Sequence, residues 1–324
     1  LRLPYAAFFE SLRFAQACRK ELRGFDLLYE RMGWVGYGGG LAALSMGTPL
    51  VMEVNGDHLS EFEMLGVAPK GLQRLLSIKM MKLSIRLASH FIACGDGWRD
   101  RLIARWDIAP RKVSTVENGS VFVERLSRER LRSFRNGSHA SEPVTLVFVG
   151  GLQPWQGVEQ LISSFAQALQ RGVNARLQII GSGPNLIRMQ RLAFNKGVAG
   201  SIIFIGDASV PELAEILTNA DVGVSPYCGR VEFSGLKIFD YKAAGLPTIA
   251  SGQNGYPGCL KHESTGLVVP PCDEAALCEA IVRLAHDADL RRRLGRQARN
   301  EAEQAHSWTH TAMHLERVLE RLIG

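Results

Sequence analysis

Residues 144–181, VTLVFVGGLQPWQGVEQLISSFAQALQRGVNARLQIIG, decide the fold. The opening VTLVFV is short, almost wholly apolar and rich in β-branched residues, which predicts a strand buried on both faces. A glycine-rich loop follows. VEQLISSFAQALQRG then carries a helical pattern, and RLQIIG returns to strand. Reading outward, a Gly-Ser-Gly-Pro turn at 181–184 leads to another helix, ending near Lys196. SIIFIG, the helix PELAEILTNA, DVGVSPY, PTIAS and GLVVP continue the alternation. Short apolar strands separated by amphipathic helices predict a parallel sheet covered on both faces. Such doubly wound units bind ligands at the C-terminal ends of their strands.

The first half repeats the theme with fewer strands. A helical opening, about residues 3–23, precedes DLLYER, PLVMEVN, HFIACG and KVSTVEN, with helical segments between them. Residues 124–143, ERLSRERLRSFRNGSHASEP, are polar, hold five arginines and end in turn formers, and so read as an interdomain linker. The expected organisation is a partial first domain over 1–130, a second domain over 143–305, and a last helix over 306–324 that crosses back to the first.

A chain of 324 residues with 46% hydrophobic and 22% charged residues fits two soluble globular domains and excludes disordered, collagen-like and coiled-coil classes. No apolar stretch approaches the length of a spanning helix. The six cysteines form no C-x-x-C pair and read as free thiols of a cytoplasmic protein. The net charge of +6 falls entirely in residues 1–142, with 21 Lys and Arg against 15 Asp and Glu, while 143–324 balance at 17 each. That asymmetry points to an anionic partner on one side. No nucleic-acid-binding signature is present, so nucleic acid is the weaker candidate and an anionic membrane surface the stronger. On the helix spanning 70–87, Lys70, Arg74, Lys82 and Arg86 share one face, and the leucines at 72, 75, 76, 83 and 87 occupy the other. It reads either as a solvated surface helix or as an interfacial one.

VEFSGLKIFDYKAAGLPTIAS, residues 231–251, carries the chemistry. Glu232 and Asp240 stand with seven residues between them, directly after the strand DVGVSPY and running into a helix. A loop ending in a helix N-terminus offers unpaired N–H groups and partial positive charge, suited to phosphate. Ser234 and Gly235 open that helix and Leu236 and Lys237 follow, the lysine adding a formal charge. Asp240 is placed to accept from hydroxyls such as those of a ribose, and Glu232 lies where a sugar on the far phosphate would sit.

This segment resembles the E-x7-E element of the family-four, group 1 retaining glycosyltransferases, which have the GT-B fold. VFVGGLQPWQGVEQLISSF, IIGSGP and IIFIGDASVPELAEILTNADVGVSPY are similar to further elements of that family, as are PLVMEVNGD, HFIACGDGWRD and VSTVENGSV. The resemblance implies an α/β GT-B protein, two doubly wound Rossmann-like domains facing a cleft. It implies transfer of a sugar from a nucleotide donor, UDP- or GDP-linked, to a hydroxyl of a glycan, lipid-linked or small-molecule acceptor, with no cofactor and no metal.

Carried onto this sequence, the resemblance makes Glu232 and Asn55 catalytic. It makes Gly150, Gly151, Gln156, Gly206, Asp207, Ser234, Gly235, Leu236, Lys237 and Asp240 donor-binding. Glu30, Arg31, Asp57 and His58 are acceptor-side candidates. Two positions depart from the family: Gly151 and Gln156 stand where an arginine and a lysine usually contact the diphosphate. Lys237, Arg230 and the helix N-terminus are the candidates to compensate. The departure keeps open a non-catalytic nucleotide-sugar-binding subunit, and an epimerase of the same fold is a further alternative. A full first domain of this kind has about seven strands and only four are found, so the chain reads as a fragment whose DLLYER strand becomes an open sheet edge, and whose location is cytoplasmic or peripheral on the membrane's inner face.

Overall fold

The computed structural model describes residues 6–56, 58–127, 143–228 and 234–324. Asp57, Arg230, Glu232 and residues 128–142 of the expected linker lie outside the described residues. Packing divides the chain into two compact units, 1–117 with 313–324, and 118–312.

The first unit runs α1 (Ala6–Glu21), β1 (Leu28–Arg31), α2 (Gly38–Met46), β2 (Leu50–Val54), α3 (His58–Met64), α4 (Gly71–Leu87), β3 (His90–Ala93), α5 (Asp96–Trp106) and β4 (Val113–Thr115). Its four strands are parallel in the order β1-β2-β3-β4. All four residues of β3 are buried, as the run HFIA requires of an interior strand. β1 pairs with β2 alone, so DLLYER forms a sheet edge among the described residues. Phe9, Phe14, Phe25 and Leu44 from this unit are exposed.

The 70–87 helix forms, but with a different inner face. Its buried positions are Ser77, Met81 and Ser84, while Leu72 and Leu75 are exposed. The small serines let α4 approach closely: Ser84 Oγ donates to the Gly36 carbonyl at 2.8 Å. Of the leucines expected on one apolar face, Leu72 and Leu75 therefore share the solvent face with Lys79, Lys82 and Arg86, while Leu76, Leu83 and Leu87 are half-buried.

The second unit begins earlier than the expected linker. The short helix α6 (Phe122–Arg125) belongs to it, because Phe122 and Leu126 are buried against Val147, Ile180 and Tyr241. Then follow β5 (Val144–Val149), α7 (Val158–Gln170), β6 (Ala175–Ile180), α8 (Leu186–Asn195), β7 (Ile202–Gly206), α9 (Val210–Thr218), β8 (Val222–Ser225), α10 (Leu236–Ala243), β9 (Thr248–Ser251), β10 (Gly266–Val269), α11 (Glu274–His286) and α12 (Ala288–Ala305). The sheet is parallel, ordered β10-β9-β8-β5-β6-β7. Alternation along β5 assigns its two faces. Leu146 and Phe148 join one core layer with Ile162, Phe165 and Ile281, and Val147 joins the other with Leu217 and Tyr241.

Arg299 on α12 ties the start of this unit together. Its guanidinium, almost wholly buried, donates to the carbonyls of Phe122, Val123, Leu126 and Ala243 and pairs with Glu303. The last helix, α13 (Trp308–Ile323), places Val318, Leu315, Leu319 and Leu322 against Val51, Ile92 and Val116 of the first unit's core.

Candidate functional site

The strand order of the second unit reverses between β5 and β8, and such a switch point opens a crevice at the strands' C-terminal ends. Gly150 leaves β5 there, Tyr227 follows β8, and α10 starts beside them. Gly235 caps α10 at φ +62°, and a Cβ on it would lie 2.7 Å from Cys259 Sγ and 3.1 Å from the Phe239 ring. Only glycine fits that conformation and that space. The Ser234 carbonyl accepts from Asn118 Nδ2 at 3.3 Å, and Leu236 at the helix's first position is exposed.

Lys237 is nearly buried. Its ammonium donates to Gln156 Oε1 and sits 4.7 Å from the centre of the Phe148 ring and 4.8 Å from that of Tyr227. Gln156 Nε2 in turn donates to the Tyr227 hydroxyl at 3.3 Å. A Cβ on Gly150 would come within 3.1 Å of the same ammonium. The substitution of a cation by Gln156 thus has a physical counterpart: a second ammonium at that position would face Lys237, whereas an amide oxygen holds it. Gly151 has open surroundings, with the Ser182 carbonyl 3.8 Å from an added Cβ. Trp155 in the same loop is buried.

Gly206 ends β7 at φ +81° and its carbonyl accepts from Gly181 N at 2.7 Å. Asp207 is exposed, and its Oδ2 accepts from Ser182 Oγ at 2.9 Å. These two residues stand at the end of β7, two strands from β5.

Asp240 is largely buried on α10. Burial raises its carboxyl to about 6, and the hydrogen bond from Ser120 works against that rise. The donor is Ser120 Oγ at 2.7 Å. Sequence reasoning did not find Ser120. The adjoining Asn118-Gly119 is a turn-forming pair, and Gly119 is further constrained, since a Cβ there would lie 2.5 Å from the backbone of Ser307 and Trp308.

Free thiols do not hold for all six cysteines. Cys228 and Cys272 form a disulfide, while Cys18, Cys94, Cys259 and Cys278 are free and buried. The pair is 44 residues apart in sequence and has no spacing signature. The fold brings it together, because the segment after β8 and the one after β10 both end at the same edge of the sheet. Among the described residues no cluster of three or more His, Cys, Asp or Glu could hold a metal ion. Among them, too, no helix is long and apolar enough to cross a membrane.

In the first unit, Glu53 stands one residue before the end of β2, and its two oxygens accept from Tyr29 OH at 3.0 Å and from Asn55 Nδ2. Asn55 Oδ1 is buried without a partner. His58 Nε2 lies 3.3 Å from the Met32 carbonyl and its Nδ1 3.8 Å from Glu61. Among the described residues the acceptor-side candidates Glu30, Arg31 and His58 are not brought together. Arg31 is exposed, and Glu30 turns toward the start of α2, where a Cβ on Gly39 would collide with its carboxylate. Burial lifts the Glu30 carboxyl to about 7, and its Oε2 has no partner. His58 instead lines a pocket with Met32, Val54, Trp98, Arg101 and Arg105. Trp98 and the two arginines were not among the candidates the sequence offered. They sit on consecutive turns of α5, and the motif HFIACGDGWRD contains only the first of them.

Two parallel sheets wrapped by helices, the second with a glycine-capped helix, a buried lysine and an acid at its switch point, define the GT-B class of fold. The family described as "Glycosyl transferases group 1" matches residues 129–301, and that described as "Glycosyltransferase Family 4" matches residues 1–120. The chain belongs to the group 1, family-four glycosyltransferases.

An uncharacterized glycosyltransferase of Methanocaldococcus jannaschii is 27% identical over 72% of this chain and 60% of its own. The GDP-mannose-dependent alpha-(1-6)-phosphatidylinositol monomannoside mannosyltransferase of Mycobacterium tuberculosis is 31% identical over 52% of this chain and 45% of its own. The chain thus covers 60% or less of the length of these curated relatives. Among solved structures, HepE of Anabaena in complex with UDP and glucose superposes with a TM-score of 0.77 at 16% identity, over 96% of this chain and 81% of that one. At that identity the likeness is one of fold.

Proposed function

We propose that this chain is a glycosyltransferase that moves a sugar from a nucleotide sugar to a hydroxyl acceptor, with retention at the anomeric carbon. The observation that carries the reading is the start of α10: glycine-capped N–H groups, the buried Lys237 ammonium and Asp240 on one helix at the switch point. The helix N-terminus and Lys237 would stabilise the leaving diphosphate, the point of largest developing negative charge. Asp240 would hold the ribose, and the backbone near Gly206 and Asp207 would meet the base. Gly150 would let the diphosphate approach the backbone. Glu232 would bind donor hydroxyls and stabilise positive charge at the sugar. The acceptor hydroxyl forms the new bond to the anomeric carbon as the bond to the phosphate oxygen breaks. That phosphate oxygen takes the acceptor's proton, and in this reading the helix N-terminus and Lys237 supply the charge that a metal would otherwise bring to the leaving diphosphate.

Support for a nucleoside diphosphate sugar as donor comes from the relatives, one named for GDP-mannose and one solved with UDP. On the acceptor side, Asn55 and His58 at the end of β2 are our candidates, and a lipid-linked or glycan hydroxyl is the acceptor class. An anionic membrane surface is the proposed location of the first unit. The exposed face of α4, which mixes Leu72 and Leu75 with Lys79, Lys82 and Arg86, supports it. Gly151 and Gln156 favour one rival, a non-catalytic binder.

A thermal-shift screen against UDP- and GDP-sugars tests the reading, since a tight ligand raises the melting temperature by mass action. The expected result is a rise with one nucleotide class, followed by transfer to an alcohol acceptor with the anomeric configuration kept. A rise without transfer supports the binder. No rise with any nucleotide sugar overturns both.

A further inference from the structure

Ser120 occupies an unusual position for a serine. It lies just after Glu117 and Asn118, where the chain passes from one unit to the other, and it is 1% exposed. Its N–H and its hydroxyl are both engaged. Its backbone N donates to the His306 carbonyl at 2.8 Å, and it forms an isolated parallel bridge with Ser307. Its hydroxyl accepts from Phe122 N at 3.1 Å and donates to Asp240 Oδ1 at 2.7 Å. A hydroxyl has one proton, and this geometry commits it to the carboxylate. The result is a chain of hydrogen bonds, Phe122 N–H to Ser120 O–H to Asp240, polarised toward a negative charge.

Both ends of the chain are fixed. Phe122 is buried, and Arg299 binds the carbonyls of Phe122, Val123 and Leu126. The same guanidinium holds the Ala243 carbonyl at the end of α10, the helix that carries Asp240. Ser120 and Asp240 are therefore two points on one rigid assembly. Among the described residues Asp240 Oδ2 accepts no hydrogen bond. One oxygen of the carboxylate is held and the other is left to meet a ligand.

We infer that Ser120 is a positioning residue for the nucleotide site: its hydroxyl fixes the rotation of the Asp240 side chain and keeps the carboxylate ionised, so that Oδ2 receives a ribose hydroxyl. The inference rests on the proposed reading of Asp240 as the ribose contact. An aspartate stands where the family pattern has a glutamate, and the shorter side chain is held by a hydroxyl from the neighbouring segment. A carboxylate left with no donor in this largely buried place would take up a proton more readily, and a neutral acid is a poorer acceptor for sugar hydroxyls.

Charged groups on the elements packed around Asp240 have partners of their own. Lys237 donates to Gln156, and Lys242 pairs with Glu301 and donates to the Cys259 carbonyl. Arg299 is committed to carbonyls and to Glu303. His306, against Phe239, is held down to about 4 by burial and the nearby lysines, so it stays neutral above that pH.

The test is calorimetric binding of UDP-glucose and GDP-mannose, whose diphosphodiesters do not titrate in the range used, from about pH 5 to about pH 8. Wild type, Ser120→Ala, Ser120→Thr and Asp240→Ala are compared, with Ser120→Gly replacing the alanine variant should that one fail to fold. The wild-type protein is expected to lose affinity below a midpoint near 6, where Asp240 protonates. Removing the hydroxyl should move that midpoint upward by about one pH unit and weaken binding about tenfold near neutral pH, and threonine should restore both. A midpoint unmoved in the alanine variant overturns the inference, even if affinity falls uniformly, and so does a wild-type profile flat across the range. Wild-type affinity and profile in Asp240→Ala would instead remove the ribose reading on which the inference stands.

Discussion

The two units share one construction plan and differ in how they hold their sites. In the second, the parts converge on one helix start: Gly235, Lys237 and Asp240 lie within six consecutive residues, and Gly150 and Gln156 reach them from the neighbouring loop. In the first, the candidates at the ends of β1 and β2 diverge. Glu30 is half-buried with its carboxylate against α2, Arg31 faces solvent, and His58 joins a pocket built mainly from α5. A phosphate cradle is made of backbone, so it must be contiguous and glycine-marked. A surface for a hydroxyl acceptor is made of side chains drawn from several elements, and nothing forces those residues to be neighbours in sequence.

The contrast is most easily broken at its strongest point. Steady-state kinetics on Glu232→Ala and Asp240→Ala should separate turnover from affinity. The first is expected to lose about 100-fold or more in kcat, and the second mainly to raise the donor KM by about tenfold. Near-wild-type rates in both variants would remove the donor site from this helix.

The first unit offers a pH test. The Glu30 carboxyl, raised to about 7 by burial, binds its proton more tightly in the folded than in the unfolded chain. Its effect on stability is therefore absent at low pH, and stability falls as pH rises from about 4.5 to about 7. Glu30→Gln should flatten that slope and, at pH above 7, stabilise the unit by about 1–2 kcal/mol after allowing for solvent screening. Urea titrations at several pH values check it. A slope unchanged by the substitution would mean that Glu30 is solvated in the folded protein.

A smaller effect sharpens the reading of Gln156. Gln156→Lys would set a second ammonium beside Lys237, at a cost of about 1 kcal/mol when no anion is present. The melting temperature of the free protein should drop, and the rise on adding UDP or GDP should grow, because a diphosphate neutralises both charges. An increase in the free protein's melting temperature would contradict the Lys237 geometry.

The smallest effect belongs to α4. Co-sedimentation with anionic vesicles should show weak, salt-sensitive binding that falls a few-fold in a Leu72→Ser, Leu75→Ser double variant. Equal binding to neutral vesicles would leave α4 an ordinary surface helix.

Most of the fold was legible because most strands of both sheets are short apolar runs bounded by glycine or a polar turn, and the two that are not, β1 and β4, begin within an apolar pair or on a buried valine. All ten appear where the sequence places them. The start of the second unit was not legible. Phe122 and Leu126 stand in a charged stretch, and only the carbonyls gathered by Arg299, more than 170 residues away, show why they are buried there. The α4 face was misread for a related reason. Serine is the residue that lets a helix lie close to its neighbour, and a search for apolar periodicity passes over Ser77 and Ser84. At the proposed donor site, the chemical types at Lys237 and Asp240 could be read from spacing. The pairing of Lys237 with Gln156, itself a candidate by resemblance, and of Asp240 with Ser120 could not, since the partners come from 81 and 120 residues upstream.

The Cys228–Cys272 bond closes a ring of chain around α10, β9 and β10, so every residue of the proposed phosphate-binding helix lies inside one covalent loop. A peptide bond cut anywhere between 229 and 271 does not release a fragment. Both new ends stay attached to the same molecule until the sulfurs are reduced, and the nick is invisible to any method that weighs the intact chain without a reductant, apart from the mass of one water.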